Sequence, residues 1–329
     1  MYKLNSLQYP NVQNMHISNE MSLSILENNE VYEKLKSEFT SKYSFDNLNT
    51  FSFCKDGFLG LFLQLAKKGK IAVSHGESHA IIQAAYTFES LGFDLVWIDL
   101  EKDGKVNQKQ IKESNVDFIF ISSYVIDTFV KTNLEEIKQN TNVKIISNAS
   151  ADFSALSDAV YFDTYKLCGF ALSSVLLFNE DLFEEQVIGF VDTIAVNTVF
   201  EALNKQSFES SQKDLFKEKL ENAFEDNIYF FVDSNDTLDF TLHFALKNIK
   251  AREMIRTLAL NSIHITNGEG CSLGLSKPSR IIQAMGYDET TSRNALSLTF
   301  IEKLDEEKIE KIAKIFAKKY RQIRVLNEQ

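Results

Sequence analysis

Proline and glycine are scarce in this chain, 2 and 12 of 329 residues, so each one marks a turn or a helix start. Cysteine is scarcer than a disulfide framework requires; only Cys54, Cys168 and Cys271 are present. Basic residues are outnumbered 35 to 46 and form no cluster. Phosphate contacts need clustered Lys and Arg, so at a net charge of -11 a nucleic-acid partner is excluded. Apolar runs are short. The stretch Phe58 to Ala66 falls far below the roughly 20 residues that cross a bilayer, and the first twenty residues hold no apolar signal core. The expectation is a soluble cytoplasmic protein with no membrane partner. There is no internal repeat and no low-complexity linker. No Gly-x-Gly-x-x-Gly, P-loop or Gly-x-Ser-x-Gly appears, and no His/Cys/Asp grouping has metal-ligand spacing.

What is present is a 44% hydrophobic chain, enough for a large domain and a smaller one. Met1 to Asn19 lacks periodicity and reads as an arm; apolar spacing predicts a helix over Met21 to Tyr43, so residues 1–44 form an arm and helix. A short strand at Phe51 to Cys54 is followed by a helix from Asp56, its N-cap, to Ala66. Strands and helices then alternate. Strands are predicted at Ile71–Ser74, Leu95–Ile98, Phe118–Ser122, Val143–Ser147, Ala159–Phe162 and Val175–Phe178, with helices between most of them. Continuous apolar strands separated by helices indicate a mostly parallel sheet covered on both faces, here over residues 45–200. Ligands on such sheets gather at the carboxyl ends of the strands. Ser74-His75-Gly76, Ser122-Ser123, Asn148-Ala149-Ser150 and Asp163-Thr164 all fall there. Over residues 201–329, mixed helices and strands predict a smaller α+β domain that closes with an amphipathic helix, Asp305 to Tyr320.

Two stretches carry chemistry. In the first, Lys166 sits on a polar segment between the Ala159–Phe162 and Val175–Phe178 strands, with Gly169 turning the chain. A desolvated ammonium favours the neutral amine, which attacks carbonyls and forms Schiff bases. The same residues also describe a surface lysine on a hairpin, and taken alone they favour that plainer reading. The second stretch, Asn267-Gly-Glu-Gly-Cys271-Ser-Leu-Gly, is a loop of small residues around a thiol, with Pro278 then opening a helix. A glycine turn that happens to hold a cysteine fits equally well. His75 and His79 flank a strand end; His16, His243 and His264 read as structural.

Together, Phe162-Asp-Thr-Tyr-Lys166-Leu-Cys-Gly169 and Asn267-Gly-Glu-Gly-Cys271 with Lys277-Pro-Ser-Arg-Ile-Ile-Gln-Ala-Met-Gly286 resemble the cofactor-lysine and cysteine-loop segments of cysteine desulfurases, within the class V aminotransferase family. The resemblance covers roughly residues 50 to 320. It implies the fold type I architecture of pyridoxal phosphate-dependent transferases, and a homodimer whose interface the N-terminal arm and helix would help to form. It also implies a small amino-acid substrate, cysteine, and delivery of sulfur to an acceptor or an iron–sulfur scaffold protein. By position Lys166 would hold pyridoxal phosphate as a Schiff base, the ring would act as electron sink, and Cys271 would carry the persulfide. Thr193 would reach the cofactor phosphate of the partner subunit.

The chain departs from the family at the cofactor supports. The Asp under the pyridine nitrogen falls on Asn148, and the Ser and His before the lysine on Asp163 and Tyr165. The ring-stacking His falls on Ser78, with His79 one position off. The phosphate loop falls on Phe53-Cys-Lys-Asp56, and the substrate-clamping Arg on Ser297, with Arg293 a turn away. A hydrogen bond to a charged group contributes roughly 1.5–3 kcal/mol. Losing several weakens cofactor binding by roughly three or more powers of ten, which a Schiff base to Lys166 would offset in part. The resemblance leaves two readings: the expectation is a desulfurase-like enzyme with a rebuilt, weak cofactor site, and the alternative is a degenerate member acting as sulfur acceptor, regulator or binding partner. In both, Cys271 is expected to be the exposed thiol, with Cys54 and Cys168 shielded by apolar strands.

Overall fold

The computed structural model describes residues 1–7, 30–169, 173–272 and 277–327. The expected helix before Glu30, His16 and the loop residues after Ser272 lie outside the described residues, as does the side chain of Cys271. Twelve strands are described: β1 (Tyr2–Lys3), β2 (Asn47–Ser52), β3 (Ile71–Ser74), β4 (Leu95–Ile98), β5 (Phe118–Phe120), β6 (Lys144–Asn148), β7 (Ala159–Tyr161), β8 (Ser173–Phe178), β9 (Ile228–Tyr229), β10 (Thr241–Leu246), β11 (Ile263–His264) and β12 (Ala295–Thr299).

Seven of them form one sheet in the order β2-β8-β7-β6-β5-β3-β4. Strands β3 to β7 pair in parallel, and β8 runs antiparallel to both β7 and β2. Six strands therefore share one direction. Both faces are covered, which is why the central strands are apolar throughout. Ala159 and Tyr161 of β7 face the helices Lys55–Ala66 and His79–Ser90, against Phe58, Phe62 and Ile81. Val160, between them, faces the helices Glu30–Tyr43 and Thr193–Lys205, against Phe39, Val196 and Val199.

A second sheet, β12-β10-β9, is antiparallel. Leu242, Phe244 and Leu298 on one face pack against Phe216, Met254, Ile312 and Phe316 of three covering helices. Ala245 and Ala295 on the other face join the core of the large sheet. The architecture is thus α/β with a mostly parallel sheet sandwiched by helices, beside a smaller α+β unit. Among the described residues no helix is long and apolar enough to cross a membrane.

Three local expectations are corrected. The first seven residues are not a free arm: β1 pairs with β11, Leu4 enters the core of the small sheet, and Leu7 that of the large one. The turn around Lys166 is a short helix, Thr164–Cys168, because the Asp163 side chain accepts the Lys166 N–H at its start; Gly169, at φ +77°, ends it. The backbone at Cys271 also turns helical, over Glu269–Ser272.

Candidate functional site

The carboxyl ends of the parallel strands open on a cleft of about 710 Å³. Four helix starts converge there. Cys54 and Lys55 open the helix Lys55–Ala66, and His79 opens His79–Ser90. Asp163 caps Thr164–Cys168, and Asp192 caps Thr193–Lys205. Tyr165, Lys166 and Glu269 stand in the same wall, with Ser52, Gln83 and Ser173 as further polar lining. Cys54, not Asp56, holds the N-cap position of its helix, and its side chain makes no capping bond.

Lys166 is where the strand order and the motif put it, inside the cleft, with its side chain only 12% exposed. Its Nζ lies 3.6 Å from Asp163 Oδ2. Burial pushes toward the neutral amine, but Asp163, then Glu269 and Asp127, outweigh it, and the ammonium is held with its pKa raised. The plainer expectation of a surface lysine on a hairpin is therefore corrected: Lys166 is buried, and the neighbouring carboxylates hold the ammonium that desolvation by itself would disfavour.

Asp163 is tied into a chain of buried hydrogen bonds. Its N–H donates to Ser150 Oγ at 2.6 Å, and the Ser150 N–H donates to Asn148 Oδ1 at 2.9 Å. The Asn148 N–H in turn donates to Ser122 Oγ at 3.0 Å. Ser122 and Tyr161 donate their hydroxyls to the two oxygens of Glu77 at 2.7 and 2.8 Å, and burial pushes that carboxyl's pKa up. The Asn148 carbonyl oxygen thus serves its own turn.

Three further residues at this end of the sheet, Glu269, Asp127 and Arg280, were given no part in the cleft by the sequence. Glu269 Oε2 accepts the His79 N–H at 2.8 Å. Asp127, after β5, accepts the Glu269 N–H at 2.7 Å and the Ser279 hydroxyl at 2.9 Å. Burial, then the Glu269 charge, push Asp127 up to about 6. Arg280 donates through Nη1 to His75 O at 2.7 Å and through Nη2 to Glu77 O. The readable signal was a carboxylate or guanidinium in turn segments beside strand ends, where solvation is poor.

Of the remaining expected residues, His79 and Tyr165 line the cleft. Ser78 is buried at the N-cap of the His79 helix, and its Oγ makes no hydrogen bond among the described residues. Thr193 is buried at the start of its helix, next to the cleft-lining Asp192. Ser297 is buried and donates its hydroxyl to Asp127 O, and Arg293 pairs with Glu289; neither lines the cleft. Cys168 is buried as expected, but Cys54 is exposed, because β2 ends at Ser52 and Cys54 lies beyond it, at the N-cap of the next helix on the cleft wall.

No family model matches the chain. A curated relative, the putative cysteine desulfurase IscS 1 of Bacillus subtilis (strain 168), is 21% identical over 65% of this chain and spans 65% of its own length in the match. Among solved structures, a NifS-like protein aligns with a TM-score of 0.72 at 11% identity, covering 96% of this chain and 98% of its own. The NifS-like protein from Rickettsia africae ESF-5 gives 0.71 at 14%, covering 98% and 99%. SspA in complex with cysteine gives 0.68 at 14%, covering 92% and 99%. The chain thus shares the fold of NifS-like proteins and is similar in sequence to a cysteine desulfurase.

Proposed function

We propose that this chain is a degenerate cysteine desulfurase-like protein, one that keeps the fold and works as a sulfur acceptor or regulatory binding partner without pyridoxal phosphate chemistry. One observation carries the reading: the Lys166 ammonium is paired with Asp163, the residue that stands where the family places a serine.

Pyridoxal phosphate would bring a phosphate dianion, a pyridine nitrogen and an aldehyde that needs a neutral amine. The cleft meets these with Asp163, Asp192 and Glu269 against Lys55 and Lys166. The His79 amide, a donor at a helix start that suits an anion, is already taken by Glu269. Asn148 cannot hold a ring nitrogen protonated, and its carbonyl oxygen is engaged by Ser150. These residues do not fit the cofactor. What remains is thiol chemistry. A donor persulfide R–S–SH would pass its terminal sulfur to the Cys271 thiolate, leaving R–S⁻ and Cys271–S–SH. The donor class is another persulfide-carrying protein, and the recipient an iron–sulfur scaffold or similar acceptor. A homodimer belongs to the same proposal, with sedimentation at micromolar concentration as its check.

The competing reading, a rebuilt desulfurase acting on cysteine, is favoured by the position of Lys166 inside a cleft of about 710 Å³ at the strand ends. Titration with pyridoxal phosphate separates the two. We expect no Schiff-base absorbance up to about 1 mM cofactor. A saturable band that vanishes in Lys166→Ala, with sulfide released from free cysteine and lost in Cys271→Ser, would establish the enzyme instead.

A further inference from the structure

The helix Glu306–Asn327 covers the small sheet. Ile309, Ile312, Phe316, Tyr320 and Ile323 turn inward to that core. The opposite face, at about 100° per residue, carries Lys311, Lys314, Lys318 and Arg321, all exposed. Their spacing of three, four and three residues sets them in one row about 15 Å long. Along the sequence the four cations are interleaved with apolar residues, and they gather only when the helix winds.

Exposed lysines on other helices have a carboxylate one turn away: Lys34 has Glu38, Lys109 has Glu113, and Lys205 has Glu201. Lys314 has Glu310 in the same way. Lys318 and Arg321 have no acidic residue three or four positions away on either side, and neither forms an ion pair among the described residues. Lys314, Lys318 and Arg321 follow one another as like charges, an arrangement that costs a helix stability. The helix dipole favours cations in the last turn, where only Arg324 stands. In a chain of net charge -11, this row is left to be complemented from outside.

Two features say by what. The row is short, and its helix opens on Glu306, Glu307 and Glu310, so a phosphate or lipid surface running past it would meet carboxylates. Val325, in line with the row, and Leu326 are 58% and 70% exposed at its other end. An apolar contact beside a polar, charged margin is the make-up of a protein interface. We propose that this face of the closing helix docks a partner protein through an acidic helix, whose Asp and Glu side chains repeat the three- and four-residue spacing and whose end sets an apolar side chain against Val325 and Leu326. No residue of the closing helix lines the cleft, so the docking face goes beyond the reading of the cleft and stands apart from it.

The probe is an alanine-rich helical peptide with glutamates at that spacing and a leucine at each end, titrated into the full chain by calorimetry at low salt. Wild type should bind it saturably. Lys311→Glu combined with Lys318→Glu and Arg321→Glu should weaken binding about tenfold or more. A control with Lys34→Glu, Lys67→Glu and Lys109→Glu, exposed sites on other helices or their ends, makes the same change in net charge and should weaken it less than about threefold. The neutral set, Lys311→Gln with Lys318→Gln and Arg321→Gln, should fall between the two and carries the test if the charge-reversed helix is destabilised. Val325→Ser should weaken binding about threefold through lost apolar contact. Equal losses in the two charge-reversed sets would show that only overall charge is read and would overturn the proposal, as would the absence of saturable binding to wild type. Row-dependent binding of phosphatidylserine vesicles or duplex RNA, tighter than that of the peptide, would also overturn it and assign the face to a membrane or a nucleic acid. The cleft takes no part in these titrations, so its reading is judged separately, by pyridoxal phosphate.

Discussion

Lys166 Nζ lies 3.6 Å from Asp163 Oδ2, three residues apart across the start of one short helix. The same carboxylate caps that helix through its other oxygen, at 3.1 Å from the Lys166 backbone nitrogen. One side chain therefore both builds the local structure and sets the charge of the lysine. Asp163→Ser separates the two roles, because serine caps a helix about as well as aspartate. Stability should change by less than about 1 kcal/mol. Acetylation of Lys166 at pH 8 should rise about tenfold, since losing a close opposite charge lowers an amine pKa by a unit or more. Labelling rates measured across pH give the comparison, and an unchanged rate would mean that Glu269 and Asp127 hold the ammonium by themselves.

The thiols separate by burial. Burial, with Asp163 nearby, pushes the Cys168 thiol up to about 12, and its Sγ lies 3.6 Å from Thr198 O, while Cys54 is exposed at the cleft mouth. Iodoacetamide should modify Cys54 faster than Cys168 by roughly two to three powers of ten in the native protein, and the two should converge in denaturant. Because Cys54 makes no capping bond, Cys54→Ser should stabilise the protein by about 0.5–1 kcal/mol in thermal unfolding, with a hydroxyl in place to cap the helix.

The alternation of apolar strands with helices was legible because a doubly covered parallel sheet writes itself as nearly unbroken apolar runs, as at Ile71–Ser74 and Phe118–Phe120. The lysine segment was legible from its motif. Its electrostatics were not: the groups that decide the charge of Lys166 include Asp127 and Glu269, which lie 39 residues before it and 103 after it in the sequence and meet only in the fold. Cys54 was misread because β2 starts and ends earlier than its apolar residues suggest: it stops at Ser52, so Cys54 falls outside the strand, at the start of the following helix on the cleft wall.

Asp127 should give the protein a pH signature. Its folded-state pKa, about 6, exceeds the usual 3.8, because burial and the Glu269 charge disfavour its carboxylate. The folded state then binds the proton more tightly than the unfolded state. Asp127 therefore favours folding below pH 4, and that contribution is lost as pH rises through about 6, amounting to a few kcal/mol at neutral pH. Asp127→Asn removes the titration. Urea unfolding from pH 4 to pH 7 should show wild-type stability falling relative to the variant as pH rises, at up to about 1.4 kcal/mol per unit. A constant difference across that range would show that Asp127 does not titrate in the folded protein.

His243 should act in the opposite sense. It lies on β10 opposite Ser297 of β12, whose hydroxyl reaches Asp127 O, so the two titrating residues share one buried region. The ring is buried, neither nitrogen has a hydrogen-bond partner among the described residues, and burial lowers its pKa to about 3. The unfolded chain takes up the proton near pH 6.5 and the folded chain does not. His243 thus costs stability as pH falls from 6.5 toward 3, again by up to about 1.4 kcal/mol per unit. Between pH 4 and 6 this slope opposes that of Asp127, so the wild type should vary less there than either single variant. His243→Leu, close in volume and without orphaned nitrogens, should stabilise the protein by about 1–3 kcal/mol at pH 7. It should also reverse the acid slope, so that stability rises on acidification from pH 6 to 4 relative to wild type. Parallel stability curves for His243→Leu and wild type over that range would mean that the imidazole takes up its proton equally in the folded and unfolded protein, and would overturn this prediction.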